Sequence, residues 1–411
     1  MKFEQYQISP EIKQSLEEAG FKRPTDIQFK AIPSILKGDD VLAIAQTGTG
    51  KTAAFAIPVL HLLQQRSHRN KLNQVKCLVM VPTRELAIQI ADVFQQLSKY
   101  TGLDILGLHG GVEQEPQIKK LKRGVDVLIA TPGRMFDLIY QSHLDIKGVE
   151  ILVLDEADLM LDLGFYKDIT DVIKFLPKHH QTLFFSATIS PEIKELAYSI
   201  VRNPIRIQIS PKDPVSKNVT HSVAFIEMDD KRFFLERLVH ELPANRILVF
   251  VRTKVRAERL HNAMKRVGIE TITMHGGKDQ EDRLEVMQAF REGKVNMLIT
   301  TDVSARGIDI ANVDYVVNYD LPDIPENYVH RVGRTGRGIH KGNAVSFCST
   351  EEKPLLEAIH TFIDRTINVM KIDKTDYKET LSFTEDTPND NWKLLMEEIE
   401  QEKAGKKKKR K

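Results

Sequence analysis

Three short patterns occur twice in this chain, in the same order and at nearly one spacing. LVMVPTR (78–84) returns as LVFVRTK (248–254), LHGG (108–111) as MHGG (274–277), and LIATPGR (128–134) as LITTDVSARG (298–307). Thr83 and Thr253, His109 and His275, and Thr131 and Thr301 lie 170, 166 and 170 residues apart. Self-similarity of this kind implies two copies of one fold. Its class follows from short β-branched apolar runs at 41–45, 77–81, 127–130, 151–154, 183–185, 247–251, 297–299 and 313–317. Helical patterns lie between them, such as Leu86, Ile90, Phe94 and Leu97 at three- and four-residue spacing. The alternation predicts an α/β protein of two tandem domains, each a mostly parallel sheet covered by helices. Each repeated pattern sets small, hydroxyl or glycine residues just past a strand's carboxyl end, where open parallel sheets bind ligands. Two such strips suit one extended polymer.

With 411 residues, 41 % of them hydrophobic, the chain can fill two cores. Pro204, Pro211 and Pro214 interrupt the pattern over 202–219, which reads as a domain end and a linker. The expected divisions are 1–209, a linker at 210–218, a second domain at 219–370 and a tail at 371–411. In the tail, Trp392, Leu395, Met396 and Ile399 have helical spacing, with Asp390 as a cap and Gly405 beyond the end. Such a helix docks on the second domain or takes a partner. KKKKRK (406–411) should be flexible; without its six charges the net +2 becomes −4, from 53 basic and 57 acidic residues. Nucleic acid must therefore be met by local basic clefts. Cys77 and Cys348 sit in apolar runs without metal-ligand spacing, as buried thiols of a reducing cytoplasm would. No apolar run approaches a membrane span or signal peptide, so a cytoplasmic protein is expected.

AQTGTGKT (45–52) follows an apolar strand and precedes AAFAIPVLHLL, the context of a phosphate-binding loop. Ala45 replaces the first glycine of the general pattern, and Gln46, Thr47 and Thr49 fill the loop. Gly48 and Gly50 would let backbone N–H groups reach phosphate, Lys51 would charge-pair the outer phosphates of ATP, and the Thr52 hydroxyl would ligate Mg²⁺. A chance glycine-rich turn is the alternative. It loses weight against ILVLDEAD (151–158), where an apolar strand ends in two acids. Asp155 suits Mg²⁺ through water, and Glu156 suits orienting or deprotonating the attacking water. The second half has no copy of the lysine loop but carries HRVGRTGR (330–337). Arg334 and Arg337 suit an arginine-finger role across an interface, with His330 beside them; a solvated basic turn or a phosphate clamp is as good a reading of that segment alone.

The set GFKRPTDIQ (20–28), AQTGTGKT, PTRELA (82–87), TPGR (131–134), DEAD (155–158), SAT (186–188), ARGID (305–309) and HRVGRTGR resembles the DEAD-box ATP-dependent RNA helicase family over residues 1–370. YVHRVGRTGRG and the compact length make the chain most similar to the bacterial RhlE-type branch. The resemblance implies two RecA-like domains that close on ATP, Mg²⁺ and single-stranded RNA. It implies that Gln28 reads adenine, Phe21 packs on the base with Phe3 behind it, and Gly307 and Asp309 meet the ribose. Asp158, Ser186 and Thr188 would couple the ATP site to RNA. For RNA it implicates Thr83, Arg84, Gly111, Thr131 and Arg134 in the first half, and Thr253, Gly276, Gln280, Arg283, Thr301 and Arg306 in the second. These contacts suit phosphate and sugar more than bases. The expected protein is a monomer that acts on RNA, in ribosomal or RNA-degradation complexes. A DNA-acting helicase is the first rival. A non-catalytic RNA-binding scaffold is the second, against which Lys51, Glu156, Arg334 and Arg337 stand.

Overall fold

The computed structural model describes residues 2–46, 48–67, 74–209, 218–305, 310, 313–336 and 341–382. The first half contributes β1 (Val41–Ala45), β2 (Cys77–Met80), β3 (Ile105–Leu108), β4 (Val127–Ala130), β5 (Ile151–Leu154), β6 (Gln181–Ser186) and β7 (Ile205–Ile209). The second contributes β8 (Val219–Phe225), β9 (Ile247–Phe250), β10 (Ile272–Met274), β11 (Met297–Thr300), β12 (Tyr315–Asn318), β13 (Gly342–Cys348) and β14 (Asn368–Val369). One sheet runs β3-β4-β2-β5-β6-β1-β7, the other β10-β11-β9-β12-β13-β8-β14. Adding seven to every strand number of the first order gives the second. All pairings are parallel. The repeat reaches the register: Cys77 pairs with Val127 and Ile247 with Met297, both shifted by 170 positions.

Around the first sheet lie α1 (Pro10–Glu18), α2 (Asp26–Lys37), α3 (Lys51–Ser67), α4 (Arg84–Leu97), α5 (Glu115–Arg123), α6 (Pro132–Tyr140), α7 (Ala157–Asp162), α8 (Tyr166–Phe175) and α9 (Pro191–Ile200). Around the second lie α10 (Lys231–Glu241), α11 (Lys254–Arg266), α12 (Gln280–Arg291), α13 (Asp302–Ala305), α14 (Pro325–Val332), α15 (Lys353–Ile363) and α16 (Lys374–Ser382). Strands covered on both faces must be apolar throughout, and β1, β2, β4 and β5 are buried at every residue. Val41, Ala43 and Ala45 join the core beneath α3 and α4, while Leu42 and Ile44 join the core on the opposite face. α4 buries Leu86, Ile90, Phe94 and Leu97, at about 1.5–3 kcal/mol for each large side chain. It lies close because β3 offers Gly107, where an added Cβ would sit 3.2 Å from the Ala91 Cβ.

Only the expected end of the second domain shifts. The proline-broken stretch 202–219 holds β7, which pairs with β1 and ends at Ile209, and β8 opens at Val219. Proline removes one N–H without forbidding an edge strand beside it. The second body runs past residue 370. β14 pairs with β8, and α16 packs on α10 through the Phe234 and Tyr377 rings, 4.9 Å apart. Tyr377 Oη donates to Asp230 at 2.7 Å and Arg237 to the Thr380 hydroxyl at 2.6 Å. The helix expected around Trp392 and the KKKKRK end lie outside the described residues. No described helix is long and apolar enough to cross a membrane.

Most of the described motif residues fall at the carboxyl edge of a sheet: Gly48 and Gly50 after β1, Thr83 after β2, Thr131 after β4 and Asp155 after β5. Thr253 after β9, His275 after β10, Thr301 after β11 and α14 beyond β12 match them.

Candidate functional site

The loop after β1 is closed by the Thr49 hydroxyl, which donates to the Gln46 carbonyl at 2.7 Å. Gly48 and Gly50 have φ of 80° and 91°, which side chains with a Cβ rarely adopt. Gly50 is constrained twice, since a Cβ there would stand 2.5 Å from Gln28 Nε2. Gln28 is buried at the third position of α2. Its Oε1 accepts from the Thr25 N–H at 3.0 Å and its Nε2 donates to the Gly50 carbonyl at 3.1 Å. One donor and one acceptor site of the amide stay uncommitted by these bonds, the pair needed to read a base edge. Phe21 is partly buried against the core, edge-on to Phe3 with 6.1 Å between centroids. Thr47, Gly307 and Asp309 lie outside the described residues.

Lys51 opens α3, and its Nζ donates to Glu156 Oε1 at 2.9 Å with both side chains buried. Glu156 takes φ 52°, ψ 48° at the head of α7, a left-handed conformation that costs a residue with a Cβ about 1 kcal/mol or more. Burial works against the charge of Lys51, but the carboxylates of Glu156, Asp155 and Asp158 outweigh it and hold the ammonium above its ordinary range. Burial likewise works to raise Glu156. The charge and hydrogen bond of Lys51, with His330 and Arg334 adding theirs, keep it below the usual carboxylate range. Asp155 differs: burial dominates and pushes its carboxyl up to about 7, although Lys51 opposes it.

Asp158 binds the SAT segment directly. Its Oδ2 accepts from the Ala187 N–H at 3.1 Å, the Thr188 N–H at 3.0 Å and the Thr188 hydroxyl at 3.2 Å. Ser186 does not join them; its buried Oγ finds no partner among the described residues.

The second half faces this edge through α14 and the turn behind it. A cavity of about 250 Å³ is lined by Glu156, Asp158 and Thr188 from one half and by Asn327, His330 and Arg334 from the other. Arg334 is buried, with Nε donating to the His330 carbonyl at 3.3 Å. The three arginines of HRVGRTGR separate here. Arg331 is spent inside its own domain, donating to both Asp302 oxygens at 2.6 and 2.7 Å, to Asn318 and to the Asp320 carbonyl. Arg337 lies outside the described residues.

The repeated strips are alike in detail. Thr83 and Thr253 both cap helices: their hydroxyls accept from the Leu86 and Arg256 N–H groups at 3.3 and 3.2 Å. Thr131 and Thr301 are buried, Thr131 ahead of Pro132 in α6 and Thr301 within 3.5 Å of the Ser304 hydroxyl. Gly111 has φ 79°, and the Arg84 guanidinium lies beside Gly110. Arg134 donates to the Val112 carbonyl at 2.9 Å, and its buried Nη1 finds no partner among the described residues. Gly276 is exposed in the turn after β10, and Gln280 opens α12. Arg283 reaches across to the first half and pairs with Glu85, next to Arg84, at 3.0 Å. That bridge brings the strips together, and neither spacing nor composition announces it. Arg306 lies outside the described residues. Cys77 and Cys348 are buried free thiols.

Residues 25–196 match the DEAD/DEAH box helicase family and residues 230–338 the helicase conserved C-terminal domain. The ATP-dependent RNA helicase RhlB of Shewanella sediminis (strain HAW-EB3) is 41 % identical over 376 residues, 90 % of this chain and 86 % of that protein. The protein of the same name from Shewanella sp. (strain ANA-3) is 40 % identical over 377 residues, 91 % of this chain and 86 % of that one. Among solved structures, S. cerevisiae Dbp5 bound to RNA and ADP BeF3 matches with TM-score 0.81 and 31 % identity, covering 93 % of this chain and 98 % of that one. The DEAD-box helicase Mss116 bound to ssRNA and UDP-BeF matches with TM-score 0.82 and 27 % identity, covering 99 % and 87 %. The Shewanella relatives carry the RhlB name and give no support to the RhlE-type branch expected from YVHRVGRTGRG. Tyr328–Val332 of that segment belong to α14, and Arg331 and Arg334 are buried. The chain belongs to the DEAD-box family of ATP-dependent RNA helicases.

Proposed function

We propose that ATP is hydrolysed in the cleft between the halves and that closure of this cleft grips one RNA strand along both strips. The observation that carries the reading is Glu156, a strained, buried carboxylate of the first half that shares one cavity with His330 and Arg334 of the second. Lys51 pairs with Glu156 at 2.9 Å. A lysine that turns to the phosphates of ATP leaves Glu156 without its strongest counter-charge, so Glu156 becomes a better base as substrate arrives. Arg334, with Arg337, would meet charge developing on the γ-phosphate.

Mg²⁺ fits the donor set. A carboxyl that burial pushes to about 7 is one that a nearby cation would keep ionised, and Asp155 stands at the strand end across from the head of α3, which carries Thr52. Among the described residues no group of three acidic, histidine or cysteine side chains could hold a metal alone, which suits an ion held mainly by phosphate and water. When bound it would neutralise phosphate charge; Thr52 and Asp155 would orient it.

The Asp158–Thr188 bonds give closure a route from the ATP side to the strips. Backbone contacts at Thr83, Arg84, Gly111, Thr131, Arg134, Thr253, Gly276, Gln280, Arg283, Thr301 and Arg306 would hold the strand with little regard to sequence. Bending the gripped strand separates a short duplex locally. In the same proposal the protein works as a cytoplasmic monomer in ribosomal or RNA-degradation complexes. Glu156→Gln tests the core of the reading. It should bind ATP and RNA while turnover falls by about 10² or more; near-normal hydrolysis would remove Glu156 from the mechanism.

A further inference from the structure

The repeat-matched histidines His109 and His275 brace their glycine turns by different chemistry. In the first half the main chain of His109 is clamped by one amide: its N–H donates to Gln117 Oε1 and its carbonyl accepts from Gln117 Nε2, both at 3.2 Å. The His109 ring also meets its turn, with Nδ1 3.1 Å from the Gly110 carbonyl, whereas in the second half the ring bridges a carboxylate and the turn. The His275 ring is buried, with Nε2 2.7 Å from Glu258 Oε1 and Nδ1 accepting from the Gly277 N–H at 3.2 Å. An ionised carboxylate only accepts and a backbone N–H only donates, so these partners select the neutral Nε2–H tautomer. Burial works to raise Glu258, but its bonds from His275 and from the Thr273 hydroxyl (2.7 Å) keep it below the usual carboxylate range. Glu258 belongs to α11, whose head is Thr253, so one carboxylate ties the start of that helix to the turn that presents Gly276.

We propose that His275, held between Glu258 and the Gly277 N–H, is a positioning residue that keeps the Gly276–Gly277 turn in its RNA-gripping shape. The inference rests on the reading above that the strip Thr253, Gly276, Gln280 and Arg283 touches RNA. Lys254 at the head of α11 flanks the same turn, its Cδ 3.6 Å from where a Gly277 Cβ would be. Arg283 of α12 is turned to Glu85.

The test is affinity for a labelled single-stranded RNA with a non-hydrolysable ATP analogue, measured on the full chain beside kcat at saturating RNA. Asparagine places an amide oxygen near the Nδ1 position and can keep the Gly277 bond, so H275N should bind within about twofold of the wild type. Glutamine reaches Glu258 but leaves the Gly277 N–H unpaired, so H275Q should be about fivefold weaker, the scale of one lost hydrogen bond, with kcat at saturating RNA unchanged. E258Q keeps an acceptor for the ring and should bind like the wild type. Should H275Q unfold in a melting control, H275A compared with H275N still decides. Equal affinities for H275N and H275Q, or a loss in H275Q that lies in kcat and not in affinity, would each overturn the proposal. Arg283→Ala separates the two levels: affinity lost there while the His275 variants match wild type sinks only this inference, and no loss there sinks the strip reading beneath it.

Discussion

Lys51 and Lys231 occupy one place in two copies of one sheet. Each opens the helix that follows the first strand of its half, and each is buried among carboxylates at the sheet edge. Lys51 is reached through a loop with two left-handed glycines, where backbone N–H groups are free to face phosphate. Lys231 is reached through IEMDD (226–230), without a glycine and with three acids. Its Nζ donates to the Tyr319 carbonyl at 2.7 Å and pairs with Glu352, with Asp320 3.9 Å away. Burial outweighs those partners and holds Lys231 below the ordinary lysine range, opposite to Lys51. The acids differ in parallel. Asp320, beyond β12, is closed off by the Arg256 guanidinium at 2.6 and 2.7 Å, whereas burial raises the Asp155 carboxyl beyond β5. The second copy thus holds its lysine and acid as internal struts, whereas the first pair is the one proposed above to meet substrate.

Separation of the halves should break this comparison most severely. Each half has its own cores, so residues 1–209 alone should fold and bind nucleotide weakly, yet show no RNA-stimulated hydrolysis above a few per cent of the full chain. RNA-stimulated turnover of the isolated half at the full rate would mean that the first copy is complete in itself.

A smaller effect sharpens the contrast between the open and closed acids. In the nucleotide-free chain the folded state holds a proton on Asp155 up to about pH 7, while the unfolded chain releases it near the ordinary range, about pH 4. The folded state therefore binds the extra proton between those values, and its stability falls as pH rises through the window. The advantage of Asp155→Asn in melting temperature over the wild type should be a few degrees greater at pH 8 than at pH 5. An equal difference at both pH values would mean that Asp155 is not the group that titrates.

Much of this was legible in the residues. Fully buried parallel strands leave continuous apolar runs, so β1, β2, β4, β5 and β9 stand out, and the repeated patterns located both strips. β3 is obscured by Gly107, which makes room for α4; β13 by Gly342 and Asn343; and β14 is two residues long. Arg331 shares its basic segment with Arg334, and only the fold puts Asp302 and Asn318 beneath it. The Arg283–Glu85 bridge and the His275–Glu258 brace were hidden for the same reason, since their partners come from other elements. Gln28 was marked for adenine, but its bond to the Gly50 carbonyl depends on how α2 lies against the loop.

The shared site is tested most directly by steady-state hydrolysis with Arg334→Ala at saturating RNA. A charge supplied from the second half and used on the transferring phosphoryl group should lower kcat by roughly 10³ and leave the KM for ATP within a factor of about 3. Near-wild-type kcat, or a loss confined to KM, would contradict the division of chemistry between the halves.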